Sequence, residues 1–460
     1  MTERMSDFVP PYPPRPRDPL PPLATLRALR RNILSVWPEK TFEYPFFSTR
    51  VLARSIFVCN SPDTVAQAFI DHHNSFERKI PQIRHALAPL VGDGLFISDG
   101  PTWAQRRRIV APIVHVSRLP LFSPIMIEAI AERAERWANL AQGTRIDVLR
   151  EMATLTAEII SRTIFGRRLG GEHATEIVAA FSEYQHLVGQ LDLAYFLGLP
   201  DWLPRFHSPR LRHRARRIHR VLDQIIADCR AGLANGEASM MRLLLEARDP
   251  VGGKPLNLAA LRDEASVMFL AGQETTANSL AWTWYLLSQA GEVEDRLHAE
   301  LAQVLGGRLP TLADVPRLGY TRAIFEEALR LYPPVPVLGR QALCDELISD
   351  QRIPAGSLLL VIPWLLHRHR HLWERPDHFI PERFLPENSQ SRPKHAYIPF
   401  GTGPRICAGA AFGLTEAILA IATLAQRVRL RLATDAVVEP TCRLTLRPGH
   451  TLPMMVEARG

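Results

Sequence analysis

One cysteine in a glycine-rich loop is the first feature of this 460-residue chain that could do chemistry. Residues 400–409 read Phe-Gly-Thr-Gly-Pro-Arg-Ile-Cys-Ala-Gly, with Gly401, Gly403 and Gly409 around Cys407 and Arg405 two residues before it. Glycine permits positive φ and lets a backbone approach something flat or bulky. An apolar run with helical spacing follows (AFGLTEAILAIATLAQ), so Cys407 stands just ahead of a helix N-terminus. Backbone N–H groups, the positive end of a helix dipole and a nearby arginine all favour thiolate over thiol. A plain buried cysteine in a turn would explain neither three glycines nor the arginine.

A nucleophilic cysteine wants a histidine base, and none lies locally. A zinc site wants more cysteine or histidine ligands at short spacing, and none stands here. A thiolate serving as axial ligand to haem iron needs a single cysteine, and that reading fits best.

A second stretch with unexpected chemistry lies at residues 269–276, Phe-Leu-Ala-Gly-Gln-Glu-Thr-Thr. It forms the centre of a proline-free run bounded by Asn257, a good N-cap, and Gly291, a good C-terminal stop. A helix of about 33 residues is roughly 50 Å long. Its flanks are strongly apolar, which implies burial on most sides. A buried carboxylate is costly unless paired, glycine weakens a helix, and threonine can bond back to a carbonyl one turn earlier and bend it. Two readings fit: a kinked mid-helix site beside a cavity, or a packing glycine with a solvated polar face.

The elements that must position these groups are mostly helical. Apolar residues recur at three- and four-residue intervals over 125–141, 151–164, 172–190, 211–231, 257–290, 293–305 and 321–331. Strand-like runs occupy 50–58, 357–362 and 428–433. The class is therefore mainly α with a minor β part. Residues 1–25 form a proline-rich N-terminal extension, extended over 10–22. Hydrophobic residues at 46% and charged residues at 22% describe a globular chain able to bury a large core. Five scattered cysteines argue against a disulfide framework. There is no run of transmembrane length and no signal-type leader, so the expected location is cytoplasmic. The net charge of +8 comes without a nucleic-acid signature and suits an acidic protein partner better.

Residues 400–409 resemble the haem-binding loop of the cytochrome P450 family, Phe-x-x-Gly-x-Arg-x-Cys-x-Gly, at every defined position. Further segments resemble that family in order: Trp103 to Arg107, Ala271 to Thr276, Glu327 to Arg330, and Phe379 to Phe384. The resemblance implies a single cytochrome P450 haem domain over 26–460, a triangular helical bundle around a buried haem with small β-sheets. It implies haem b with Cys407 as the iron ligand. Arg405, Trp103, Arg107 and Arg340 are then expected at the haem propionates, Phe400 beside the thiolate, and Ala271 against the haem. Glu274 and Thr275 are expected to deliver protons to dioxygen, while Glu327, Arg330 and Arg383 form a buried structural charge network. His367, His369 and His371 fall where the family carries a His-Arg turn rather than a metal patch.

The implied activity is monooxygenation of a lipophilic substrate by a bacterial-type enzyme. Electrons would come from a separate ferredoxin or flavodoxin type donor with its reductase. A haem-thiolate peroxygenase, lyase or isomerase is the alternative, and the complete Glu274–Thr275 pair counts against it. Substrate contacts are expected from 80–97, 190–204, 267–275, 335–339 and His450 to Leu452. The arginine-rich run 205–220 is expected as a solvated helix face near the substrate entrance rather than a membrane contact, and the chain is expected to be a monomer.

Overall fold

Asn257 opens the longest helix as its composition implies: its side-chain oxygen accepts the Ala260 N–H at 2.8 Å. The computed structural model describes residues 7–166, 180, 183–184, 207–231, 239–442 and 444–459. Within them the principal helices are α1 (Pro22–Arg31), α2 (Pro81–Val91), α3 (Gly100–Val110), α4 (Leu119–Ala138), α5 (Val148–Phe165), α6 (Pro209–Arg230), α7 (Leu258–Gln289), α8 (Gly291–Leu305), α9 (Gly319–Leu331) and α10 (Ala410–Ala425). Most of the expected helix 172–190 and the segment 190–204 lie outside the described residues. Among the described residues, no helix is long and apolar enough to cross a membrane.

Helix α7 is continuous and runs through the apolar core, with α5 packed along it. Gly272 is a packing glycine, because a Cβ there would stand 2.8 Å from Ile160 Cδ1 on α5. Its polar neighbours are nevertheless not solvated: Gln273, Glu274 and Thr276 are all buried. Thr156 on α5 donates its hydroxyl to the Gln273 carbonyl at 2.9 Å, tying the two helices at that level. Gly291 does not end the helix as expected. Ala290 is the junction, and Gly291 is already the first residue of α8.

The expected strand 50–58 is instead a hairpin. Strands β1 (Phe46–Val51) and β2 (Arg54–Cys59) pair antiparallel, and Leu52 turns the chain with φ of 53°. Because Leu52 is not glycine, the sequence carried no turn signal there. The sheet continues through β8 (Leu358–Val361), β5 (Leu338–Gln341) and β3 (Arg78–Lys79) in the order β1-β2-β8-β5-β3. Only the β2–β8 pair in it is parallel. A second sheet sets β12 (Pro453–Ala458) between β4 (Thr144–Asp147) and β9 (Val428–Leu432). Among the described residues two short hairpins complete the strands, β6 (Glu346–Ile348) with β7 (Gln351–Ile353) and β10 (Thr441–Cys442) with β11 (Leu446–Arg447).

The proline-rich segment is bonded to the body. Phe379 N–H donates to Phe8, the Tyr332 hydroxyl donates to Pro11 at 2.7 Å, and Arg15 pairs with Asp377. Regular helix begins at Pro22, inside the stretch expected to be extended.

Behind the cysteine loop, Glu327 and Arg330 form a two-bond ion pair at 2.6 and 2.7 Å, both fully buried. The remaining Arg330 donors reach the carbonyls of His367, Pro376 and His378. Glu327 also accepts the Ile380 N–H at 2.9 Å and lies 3.5 Å from Arg383. His367 is buried and held neutral by burial, and its Nε2 accepts the Ile398 N–H. The network thus fixes the chain that leads into residue 400. Among the described residues, no cluster of three potential ligands could hold a metal ion.

Candidate functional site

The backbone folds residues 400–407 into a tight arc that Cys407 N–H closes onto the Phe400 carbonyl at 2.9 Å. Gly401 and Gly403 adopt φ of 74° and 72°. A Cβ on Gly403 would collide with the Phe69 carbonyl oxygen, so conformation and space both demand glycine there. Gly409 is different: its φ is −92°, and a Cβ there would meet no protein atom within 4 Å.

Cys407 has an accessible surface. Yet burial is the largest influence on its thiol, raising the pKa, with the Gly409 N–H and Arg107 lowering it in part. A residue that is accessible and still desolvated opens on an internal hollow rather than on bulk water. This corrects two expectations. Burial favours the thiol over the thiolate, and the arginine that offsets this in part is Arg107 rather than Arg405.

Arg405 points elsewhere. Its Nη2 donates to Ser98 O at 3.0 Å and to Asp99 at 3.1 Å, and its guanidinium lies 4.4 Å over the Trp103 ring. Trp103 and Arg107, four residues apart on α3, therefore both face the loop. Asp99 also pairs with Arg84 and accepts the Lys79 N–H. Arg340 is buried beside the Phe69 ring at 4.8 Å, donates to its neighbour Gly339 O, and has its pKa pulled down to about 9 by burial and by Arg405. Burial, Arg340 and Arg405 push the Lys79 ammonium well below its usual range. Asp99 offsets all three cations, with Glu77 assisting at Arg405. Arg405 Nε is buried without a hydrogen-bond partner. Next to these groups is a cavity of about 240 Å³ lined by Phe69, Phe76, Trp103, Arg340, Thr402 and Arg405. This cluster is short of negative charge, and a buried dicarboxylate would supply it.

The second stretch meets the first through α10. A Cβ on Gly413, six residues after Cys407, would lie 3.6 Å from Thr276 Oγ1. Midway along α7, Ala271 is exposed although Phe269 and Gln273 are buried. The partly exposed Thr275 donates its hydroxyl to the Ala271 carbonyl at 2.6 Å. Glu274 is buried and accepts from the Thr445 hydroxyl at 2.6 Å and from Arg447 at 3.0 Å. Asn278 donates to Thr445 in turn.

The expected residues thus fall into two groups. Trp103, Arg107, Arg340, Phe400, Arg405 and Cys407 gather around the loop, while Ala271, Glu274 and Thr275 stand on α7. Sequence reasoning missed Lys79, Asp99, Thr445 and Arg447. Lys79, one of four lysines in an arginine-rich chain, carried a weak signal. The others carried none.

The family model described as "Cytochrome P450" matches residues 13–452. The chain is 32% identical over 415 residues to the "Cyclooctatin synthase" of Streptomyces melanosporofaciens, covering 89% of this chain and 88% of that protein. It is 31% identical to the "Cyclooctat-9-en-7-ol 5-monooxygenase" of the same organism, covering 74% and 73%. The crystal structure of the "cytochrome P450DA heme domain" superposes with a TM-score of 0.81 at 26% identity, covering 98% of this chain and 99% of that one.

Proposed function

The chain belongs to the cytochrome P450 family and is a monooxygenase, and from that premise we propose that it inserts one atom of dioxygen into a lipophilic cyclic substrate. The family implies a haem-thiolate cofactor; we assign haem b, with Cys407 as its ligand, to residues 26–460 acting as one domain. The observation that carries this reading is a desolvated yet accessible cysteine beside a buried cluster short of negative charge. When bound, haem supplies the iron at which dioxygen is activated.

The chain's own residues do the rest. Arg405, Arg340, Arg107 and Lys79 would hold the two propionates, with Trp103 stacked under Arg405. A charge-assisted bond of this kind contributes about 1.5–3 kcal/mol. Phe400 keeps water from the sulfur. Ala271 leaves space beside the ring system. Thr275 holds a proton at Oγ1, now donated to the Ala271 carbonyl and free to turn toward the hollow. Glu274 must rotate out of its clamp with Thr445 and Arg447 before it can pass a proton on. Thr275→Ala should leave haem content unchanged, divert reducing equivalents to hydrogen peroxide, and lower product formed per electron pair by about one to two orders of magnitude. Oxygen uptake, peroxide and product measured together would check this. Normal coupling would overturn the relay, and product formation without external electrons would favour the peroxygenase, lyase or isomerase alternative.

The relatives' names support a substrate class. One acts on cyclooctat-9-en-7-ol, by its name a cyclic unsaturated alcohol. Electrons come from a ferredoxin or flavodoxin type donor with its reductase, drawn by the chain's positive charge of +8. The rate of reduction by such a donor should fall as salt rises, because screening shortens to about 10 Å at 0.1 M. A rate independent of salt would contradict electrostatic docking.

A further inference from the structure

Asp99 stands at the N-cap of α3 and does not cap it. An aspartate there ordinarily accepts an N–H from the first turn of the helix. Here the side chain makes no cap bond, and the helix starts on the main-chain carbonyl of Asp99, which accepts the Trp103 N–H at 3.3 Å. Gly100, the first helical residue, takes a φ of 56°. A Cβ there would meet nothing closer than Glu77 Oε1 at 3.7 Å, so the conformation and not crowding demands glycine. The carboxylate is committed elsewhere.

Three donors converge on it. Oδ1 accepts from Arg405 Nη2 and from the Lys79 N–H, each at 3.1 Å, and Oδ2 pairs with Arg84. Strand β3 lies at the edge of its sheet, and Asp99 takes the outward N–H that such an edge leaves over. Across the β3–β5 pair Lys79 stands opposite Arg340, and like charges so placed destabilise a sheet. Burial pulls the Arg405 guanidinium down, and Asp99 is the strongest of the charges that offset this, ahead of Glu77. The Asp99 side chain is 15% exposed and that of Arg405 7%, so water and salt screen the pair only weakly.

We propose that Asp99 is a positioning residue, the fixed counter-ion of the haem-propionate cradle, and that its charge holds down the reduction potential of the iron. This rests on the reading that assigns Arg405, Arg340 and Lys79 to the propionates. Reduction of ferric iron adds one electron, and a fixed negative charge in a partly dehydrated setting opposes it. A neutral side chain of the same shape removes that opposition. A cation removed from the same cluster acts in the reverse direction. Arg84 is such a cation: it pairs with Asp99, and its side chain is 41% exposed.

Haem-loaded Asp99→Asn and Arg84→Gln would be titrated with dithionite beside wild type at neutral pH, with redox dyes as the potential standard. Asp99→Asn should shift the reduction equilibrium at least about threefold toward the ferrous protein, a rise of about 28 mV at 59 mV per tenfold for a one-electron couple. Arg84→Gln should lower the potential, by a smaller amount, because an exposed charge is screened. A merely structural role would disturb the cradle in both variants and move both potentials the same way. Two shifts of the same sign, or no shift in Asp99→Asn, would overturn the counter-ion role. If Asp99→Asn does not hold haem, the sign of the Arg84→Gln shift decides: a fall supports the proposal, and a rise or no change overturns it. Absence of the carbon monoxide band at about 450 nm in wild type would count against the haem site itself instead.

Discussion

Glu327→Ala is expected to leave little folded protein. Both members of the Glu327–Arg330 pair have no exposed side-chain surface. Removing the acid leaves a guanidinium buried in the core, which typically costs about 3–5 kcal/mol. The total stability of a domain is only about 5–15 kcal/mol, so the loss takes a large share of it. The damage also travels. Arg330 still has carbonyls at 367, 376 and 378 to satisfy, but it loses the carboxylate that fixes its plane, and the Ile380 N–H loses its acceptor. That is the stretch feeding into the cysteine loop, so haem retention should fall along with stability. Soluble yield, urea midpoint and haem per chain would measure the effect. A variant with an unchanged midpoint and full haem content would contradict a structural role for the pair.

Cys407→Ala should abolish monooxygenation while sparing the fold. The residue contributes one backbone hydrogen bond to the arc, Cys407 N–H to Phe400, and alanine keeps it. Alanine gives up the Gly409 N–H that the sulfur accepts, but the side chain has an accessible surface and fills no core position. Gly403, whose neighbour Phe69 excludes any Cβ, fixes the loop independently of the sulfur. The expected result is product formation below detection and a Soret spectrum without thiolate character, at a urea midpoint close to that of wild type. Retained turnover would exclude Cys407 as the essential ligand.

The cysteine loop was legible because its determinants are local. Three glycines and an arginine fall within ten residues with a helix directly after them, and the pattern has one economical reading. The long helix was legible for a similar reason: its N-cap, its periodicity and the absence of proline all lie within it. What escaped notice was assembled over distance. The partners of Glu274 stand 171 and 173 residues away at Thr445 and Arg447, in a hairpin with no chemical signature of its own. Lys79 and Asp99 acquire meaning only when β3 and the start of α3 come together beside Arg340 and Arg405. Arg405 looked like the activator of the thiol because it is close in sequence, yet its guanidinium stacks on Trp103, and Arg107 takes that part. The hairpin at Leu52 escaped because a leucine at positive φ is imposed by the tertiary structure and not by local preference. Nothing local marks Gly92 and Gly94; only the nearness of Asp263 and Val267 shows why they are glycine.

The central claim, one thiolate from Cys407 on haem iron, is tested most directly by the carbon monoxide difference spectrum of the reduced wild-type protein. The account predicts a Soret band at about 450 nm, the signature of an anionic sulfur ligand on the iron. A band only at about 420 nm would mean a protonated sulfur or another ligand on the iron, and would contradict it.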